Sequence, residues 1–282
     1  MNTLKKPTTK VNVVFPHCIS FIKSEKNKER FTLCLPEIIA AEKEFDTNML
    51  SKTIDAIGQG VGNINISKDE LIRIYTKRMV PNDAGRIYYD NIVLSATLCP
   101  VCAHREVNEV DHYLPKTDYP KLAVVLSNLI PICPICNKDK GSYKPTHHSN
   151  ALIHPYFDSV QDENWLVGFI DTENELLSVQ YFVIRPKKWD DLQFDRVKYH
   201  FEFFKLADLY AKQAARKLPG IRKELTRMAD SGVNASGIKE FLESGERAAN
   251  EIGSNYWECV FFRTLADSEW FCQGGFRFPV DN

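Results

Sequence analysis

Two Cys-x-x-Cys turns, Cys99-Pro100-Val101-Cys102 and Cys133-Pro134-Ile135-Cys136, limit what this chain can fold into more than any other feature. Each turn presents two thiolates side by side. Two such turns brought together make a closed tetrahedral site for Zn²⁺, which takes four soft, deprotonated ligands and leaves no open position. The segment between them must therefore double back within about thirty residues. The other four cysteines, Cys18, Cys34, Cys259 and Cys272, lack such spacing. The N-terminal Met-Asn-Thr-Leu-Lys-Lys-Pro has no apolar core of a secretion signal, and no apolar run approaches the roughly 18 residues a membrane span needs. The expectation is a cytoplasmic protein with no membrane association, in a compartment that keeps thiols reduced. The four remaining cysteines then read as buried core thiols.

Between and just after the turns lie Asp111-His112, Asn128 and Asn137, none of which a Cys₄ zinc site needs. A carboxylate, an imidazole and two amides on a small metal-stapled scaffold can hold a hard cation and activate water. The segment 99–140, about a sixth of the chain, resembles the HNH endonuclease motif, also called the His-Me finger or ββα-metal nuclease, in its zinc-stapled form. That family places a carboxylate-His pair at the end of a first strand, an Asn in the following loop, and a His or Asn on the helix after the second knuckle. Here the order is Asp111-His112, Asn128, Asn137, with sixteen positions from 112 to 128 and nine from 128 to 137. The chain reads H-N-N where many members read H-N-H.

The resemblance implies a role for each residue. His112 is the general base. An ordinary imidazole, with a pKa of about 6.5, is largely neutral at pH 7, and a positioned general base contributes about 10²- to 10⁴-fold. Asp111 and Asn137 hold one catalytic Mg²⁺ or Mn²⁺, whose charge neutralises the scissile phosphate and stabilises the leaving 3′ oxygen. Asn128 pins the loop between the strands and orients the His. The implied substrate is DNA, with RNA left open, and the products carry a 5′-phosphate and a 3′-hydroxyl. Lys116, Lys138 and Lys140 lie where phosphate contacts are expected, the alternative for each being a solvated surface lysine. His104 reads as a surface residue and His147-His148 as a polar loop. His154, before the turn-forming Pro155, reads as packing against the nuclease core.

A formal net charge of −1 looks wrong for a nucleic-acid enzyme until it is resolved along the chain. Residues 187–227 carry eleven Lys/Arg against six Asp/Glu, and residues 228–282 carry four against nine. The basic stretch is the expected place for backbone phosphates outside the cleft. Phe194, Val197, Phe201 and Phe204 recur there at helical intervals and bury the opposite side.

Periodicity sketches the rest. After a short apolar segment at 11–15, a helix is expected over 36–58, with Ile38, Phe45, Met49 and Ile57 inward. Ser67-Lys-Asp-Glu70 reads as a capping box opening a helix through Tyr75, and a further helix is expected over 83–96 after a break at Pro81-Asn82. The first nuclease strand is expected at 107–110 and the metal-binding helix from Cys136. Segments 165–170 and 177–184, around Asp171-Thr-Glu-Asn, suggest a β-hairpin. Helices then run to the end, broken at Pro219-Gly220 and Gly232, with Ile238, Phe241, Ile252, Trp257, Val260 and Phe261 inward.

The expected fold class is α+β, a small zinc-stapled ββα-metal core framed by mainly helical segments. The expected parts are a helical region 1–95, the nuclease core 96–160, a β-hairpin 161–188 and a helical region 189–282. Two other readings stand beside a self-sufficient enzyme. A non-catalytic zinc ribbon that binds nucleic acid would use the cysteines but leave Asp111, His112, Asn128 and Asn137 without purpose. A nuclease subunit inactive alone and gated by an ATPase partner is the other. Asp-His-Tyr-Leu-Pro-Lys followed by a helical C-terminal half is similar to stand-alone HNH proteins of bacterial anti-phage systems. No base-reading module is identifiable.

Overall fold

A computed structural model describes residues 1–62, 64–81, 83–173 and 176–278. The chain divides into two compact units, the first Met1–Ser159 and the second beginning at Val160. The fold is α+β, mainly helical with two small sheets.

The first unit opens with helices α1 (Val11–Ile19), α2 (Glu25–Leu33) and α3 (Leu35–Leu50). The apolar segment at 11–15 is the start of α1, whose Val11, Val14, Phe15 and Cys18 recur at helical spacing and are buried. Its first N–H, on Val11, donates to the buried Glu42 carboxylate of α3 at 3.2 Å. The expected helix over 36–58 stops at Leu50. Lys52 takes a left-handed conformation at φ 60°, which no helix interior accommodates, and only a short 3₁₀ turn, Ile54–Ala56, follows.

Helix α4 (Lys68–Ile74) starts on the expected capping box. Glu70 N–H donates to Ser67 Oγ at 3.3 Å, and Ser67 N–H donates to Glu70 Oε2 at 2.8 Å. Beyond Ile74 the coil widens into a π-turn, Tyr75–Met79, and α5 follows (Arg86–Val93). Asn82 of the expected break lies outside the described residues. Then come strands β1 (Glu109–His112) and β2 (Leu129–Ile132) and helix α6 (Pro134–Lys140). The strands pair antiparallel, with Glu109 opposite Ile132 and His112 opposite Leu129.

In the second unit β3 (Leu166–Asp171) and β4 (Ser178–Val183) form the expected hairpin, with Leu166 opposite Val183 and Asp171 opposite Ser178. Asn174, in the turn read from sequence, lies outside the described residues. Helices α7 (Asp191–Phe203), α8 (Leu206–Asp230), α9 (Ala235–Asn250), α10 (Trp257–Asp267) and α11 (Glu269–Cys272) complete it. The break expected at Pro219-Gly220 is absent, because α8 runs through Pro219. An interior proline costs about 3 kcal/mol. The buried stripe Leu206, Leu209, Tyr210, Ala214, Leu218 and Leu225 holds both halves of α8 in one line and outweighs it. The break at Gly232 is real, at φ 90°. Ile252, expected inward, is 46% exposed because α9 ends two residues earlier.

Candidate active site

The sulfurs of Cys99, Cys102, Cys133 and Cys136 lie within 4.8 Å of one another, and all four residues are buried. Tetrahedral Zn²⁺ with bonds of about 2.3 Å sets its sulfurs about 3.8 Å apart, so the cluster fits a structural zinc site. The backbone prepares it. Ala103, at φ 49°, turns the first knuckle back so that its N–H donates to Cys99 C=O at 2.7 Å. Arg105 N–H donates to Cys102 Sγ at 3.5 Å and Cys136 N–H to Cys133 Sγ at 3.4 Å. Hydrogen bonds from the neighbouring thiols, that of Cys133 foremost, hold Cys102 far below the ordinary thiol range. The interaction with Cys102 pushes Cys99 and Cys136 well above it. Four such sulfurs can ionise together only around a cation. The remaining cysteines are buried free thiols.

Beside the four-cysteine cluster, α6 lies along one face of β1. Alternation sends Glu109 and Asp111 to that face and Val110 and His112 to the more buried one. Two polar rungs join strand to helix. Asn137 Nδ2 donates to Glu109 Oε2 at 2.5 Å, and Lys140 Nζ pairs with Asp111 Oδ2 at 2.8 Å. Lys140 also donates to His112 C=O at 2.6 Å. The carboxylate of Asp111 and the amide of Asn137, both partly exposed, are hard oxygen donors on facing elements and suit a divalent cation such as Mg²⁺ or Mn²⁺.

His112 is 2% exposed, its ring 4.4 Å from the Tyr75 ring in an edge contact. Tyr75 is fixed in turn, its hydroxyl donating to Val110 C=O at 3.0 Å, and burial pushes its phenol up, so it stays a donor. His112 Nε2 lies 2.9 Å from Ala123 C=O. A carbonyl only accepts, so Nε2 carries the proton and Nδ1 keeps its lone pair. Burial holds the ring down to about 3, helped by the charges of Lys116 and Lys140 and opposed by the Ala123 carbonyl. The imidazole is therefore neutral.

Asn128 is 0% exposed and ties the loop after β1 into a fixed shape. Its Oδ1 accepts Leu114 N–H at 2.8 Å, its Nδ2 donates to Leu114 C=O at 3.0 Å, and its own carbonyl accepts Tyr113 N–H at 2.7 Å. The loop so held carries Ala123, the residue that orients His112.

The three lysines part company. Lys138 is exposed on α6, and Lys116 is partly exposed with Nζ 5.6 Å from the centre of the Tyr75 ring. Lys140, expected to contact phosphate, is 3% exposed and engaged with Asp111 and His112, so it is a brace within the site and not an open phosphate contact. Of the histidines outside the motif, His154 is 0% exposed among Phe45, Tyr113 and Phe157, and His148 is buried although read as a loop residue. Sequence reasoning passed over Glu109 and Tyr75. Glu109's place two residues before Asp111 on one strand face was readable; Tyr75, distant in sequence, gave no signal.

Replacing Lys140 with Met is expected to destabilise the zinc-loaded protein by about 3 kcal/mol, the low end for breaking a buried ion pair, since the Asp111 side chain keeps 15% of its surface. Urea unfolding monitored by circular dichroism checks this, and an unchanged midpoint would mean the pair adds nothing.

Comparison with known proteins is consistent with this geometry. Residues 99–143 match the family model for HNH endonuclease. Protein ea31 of Escherichia phage lambda is 27% identical over 226 residues, covering 74% of this chain and 76% of that protein. The Septu protein PtuB of Bacillus thuringiensis is 40% identical over 63 residues, 22% of this chain and 23% of that protein. No solved structure matches. The family match and the buried four-sulfur cluster fall on the same strand–strand–helix segment, and residues 99–143 are an HNH endonuclease domain, whose class of substrate is nucleic acid.

Proposed function

We propose that this chain is a metal-dependent endonuclease that hydrolyses phosphodiester bonds in DNA, acting in the cytoplasm of a bacterium in defence against phage. The observation that carries the reading is the buried imidazole of His112 held neutral, its Nε2–H donating to Ala123 C=O and its Nδ1 left to take a proton, on a strand whose other face offers oxygen donors. Asp111 and Asn137 would hold one Mg²⁺ or Mn²⁺, which when bound supplies charge to the scissile phosphate and the departing 3′ oxygen. His112 Nδ1 takes a proton from the attacking water. Ala123 C=O and the Tyr75 ring hold the imidazole in line, and Asn128 holds the loop that carries Ala123. Lys116 and Lys138 supply positive charge for flanking phosphates. The 5′-phosphate and 3′-hydroxyl products follow from water attack with loss of the 3′ oxygen.

Purified, zinc-loaded protein is expected to nick or linearise supercoiled plasmid with Mg²⁺ or Mn²⁺ and not with EDTA. Cleavage of RNA but not of plasmid would overturn the choice of DNA. A second reading, a subunit gated by an ATPase partner, is favoured by the match to the Septu protein PtuB. No cutting by folded protein alone, restored by co-purified partner and ATP, would establish it. Among the described residues no helix is long and apolar enough to cross a membrane.

A further inference from the structure

We infer that Glu109 is a positioning residue for the catalytic cation, fixing which end of the Asn137 amide faces the metal. The inference rests on Asp111 and Asn137 holding that cation. An asparagine amide has two unlike ends of nearly equal shape. Its Oδ1 can ligate a cation and its Nδ2 cannot, and rotation about the last side-chain bond exchanges them. An H-N-N site therefore needs something to choose the rotamer.

Glu109 makes that choice. Its carboxylate oxygens only accept, and Oε2 lies 2.5 Å from Asn137 Nδ2, so the nitrogen faces Glu109 and Oδ1 is the end of the amide left for a cation. The strand register makes the contact specific. Glu109 and Asp111 share one face of β1, and Asn137 and Lys140 lie one turn apart on α6, so each carboxylate meets its own helix partner. The two carboxylates are not equivalent. Lys140 neutralises Asp111, whereas among the described residues no lysine or arginine pairs with Glu109. No cation among the described residues thus competes for Glu109, and its acceptor oxygen serves the amide it orients. Partners of metal ligands acting this way are typically worth about 10- to 100-fold in metal affinity or activity.

The test uses the full zinc-loaded chain and Mn²⁺ as the probe. Mn²⁺ binding is followed by electron paramagnetic resonance, in parallel with the Mn²⁺ dependence of plasmid nicking, for wild type, Glu109→Ala, Glu109→Gln and Asp111→Ala. Zinc content and circular dichroism establish that each variant is folded. Glu109→Ala is expected to weaken Mn²⁺ binding about 10- to 100-fold, and Glu109→Gln, which keeps an acceptor oxygen, is expected to recover most of it. Equal losses in both variants would make Glu109 a direct charged ligand and overturn the positioning role. No change in either, with binding abolished by Asp111→Ala, would overturn any role for Glu109. Mn²⁺ binding indifferent to Asp111→Ala would instead overturn the underlying assignment of the metal site, and this inference with it.

Discussion

Removal of zinc from Cys99, Cys102, Cys133 and Cys136 is expected to unfold the nuclease core. The elements it joins cannot stand by themselves. β1 and β2 have four residues each and α6 has seven, whereas an isolated hairpin is marginal in water and an isolated helix needs about 12–15 residues. Structural zinc in small domains is worth about 10–16 kcal/mol in apparent binding energy, as large as the roughly 5–15 kcal/mol that holds a whole domain together. Loss of the ion also leaves four buried sulfurs within 4.8 Å that must be reprotonated in place or exposed. A strong chelator, with released zinc read by a metal dye, should therefore collapse the cooperative thermal transition of this region. Cys133→Ser should do the same, because the serine hydroxyl can still cap α6 but does not replace the thiolate ligand of the zinc. Cys272→Ser, at a buried thiol outside the cluster, should keep one zinc per chain. A fully zinc-free protein melting within a few degrees of the loaded one would show that the ion is not structural.

The parts of this molecule legible in its sequence are those set by local chemistry. Two thiols on one turn, a hydroxyl and carboxylate three residues apart at Ser67 and Glu70, and alternating apolar residues on either side of 171–174 each determine structure within a few residues. The misreadings share the opposite cause. Pro219 breaks a helix on local grounds, but the apolar stripe beneath α8 overrides it. Lys140 beside the motif points to a phosphate contact, and only the register of β1 against α6 reveals that Asp111 and His112 C=O receive it instead. Tyr75 bears on His112 across thirty-seven positions of sequence through a π-turn that no pattern announces. In the candidate site, residue types and order were visible, whereas the contacts that tune them come from packing.

That tuning carries the other large expected effect. Replacing His112 with Ala is expected to lower single-turnover cleavage by about 10²- to 10⁴-fold, the range for a positioned general base, while zinc content stays at one per chain. A variant cutting as fast as wild type would show that His112 is not the base. The pH dependence separates this ring from an ordinary histidine. An imidazole of pKa about 6.5 is about nine-tenths protonated at pH 5.5, so a base of that kind would lose about tenfold between neutral pH and 5.5. Here burial first, and then Lys116 and Lys140, hold the free protein's value down to about 3. Because the value is lowered, falling pH leaves the neutral, proton-accepting form in place until well below 5. The acid limb near 6.5 should therefore be missing from kcat/KM, which reports the free enzyme, with zinc content checked at each pH. A bound phosphodiester adds negative charge beside Nδ1 and raises the value in the complex, so kcat should bend at a higher pH than kcat/KM. Lys116→Ala removes one of the depressing charges and should shift both curves in that same direction, toward the ordinary histidine range. A kcat/KM profile that halves near 6.5 in the wild type would mean that the ring meets solvent before substrate arrives, and the closed pocket formed by Tyr75 and Ala123 would not be the working state.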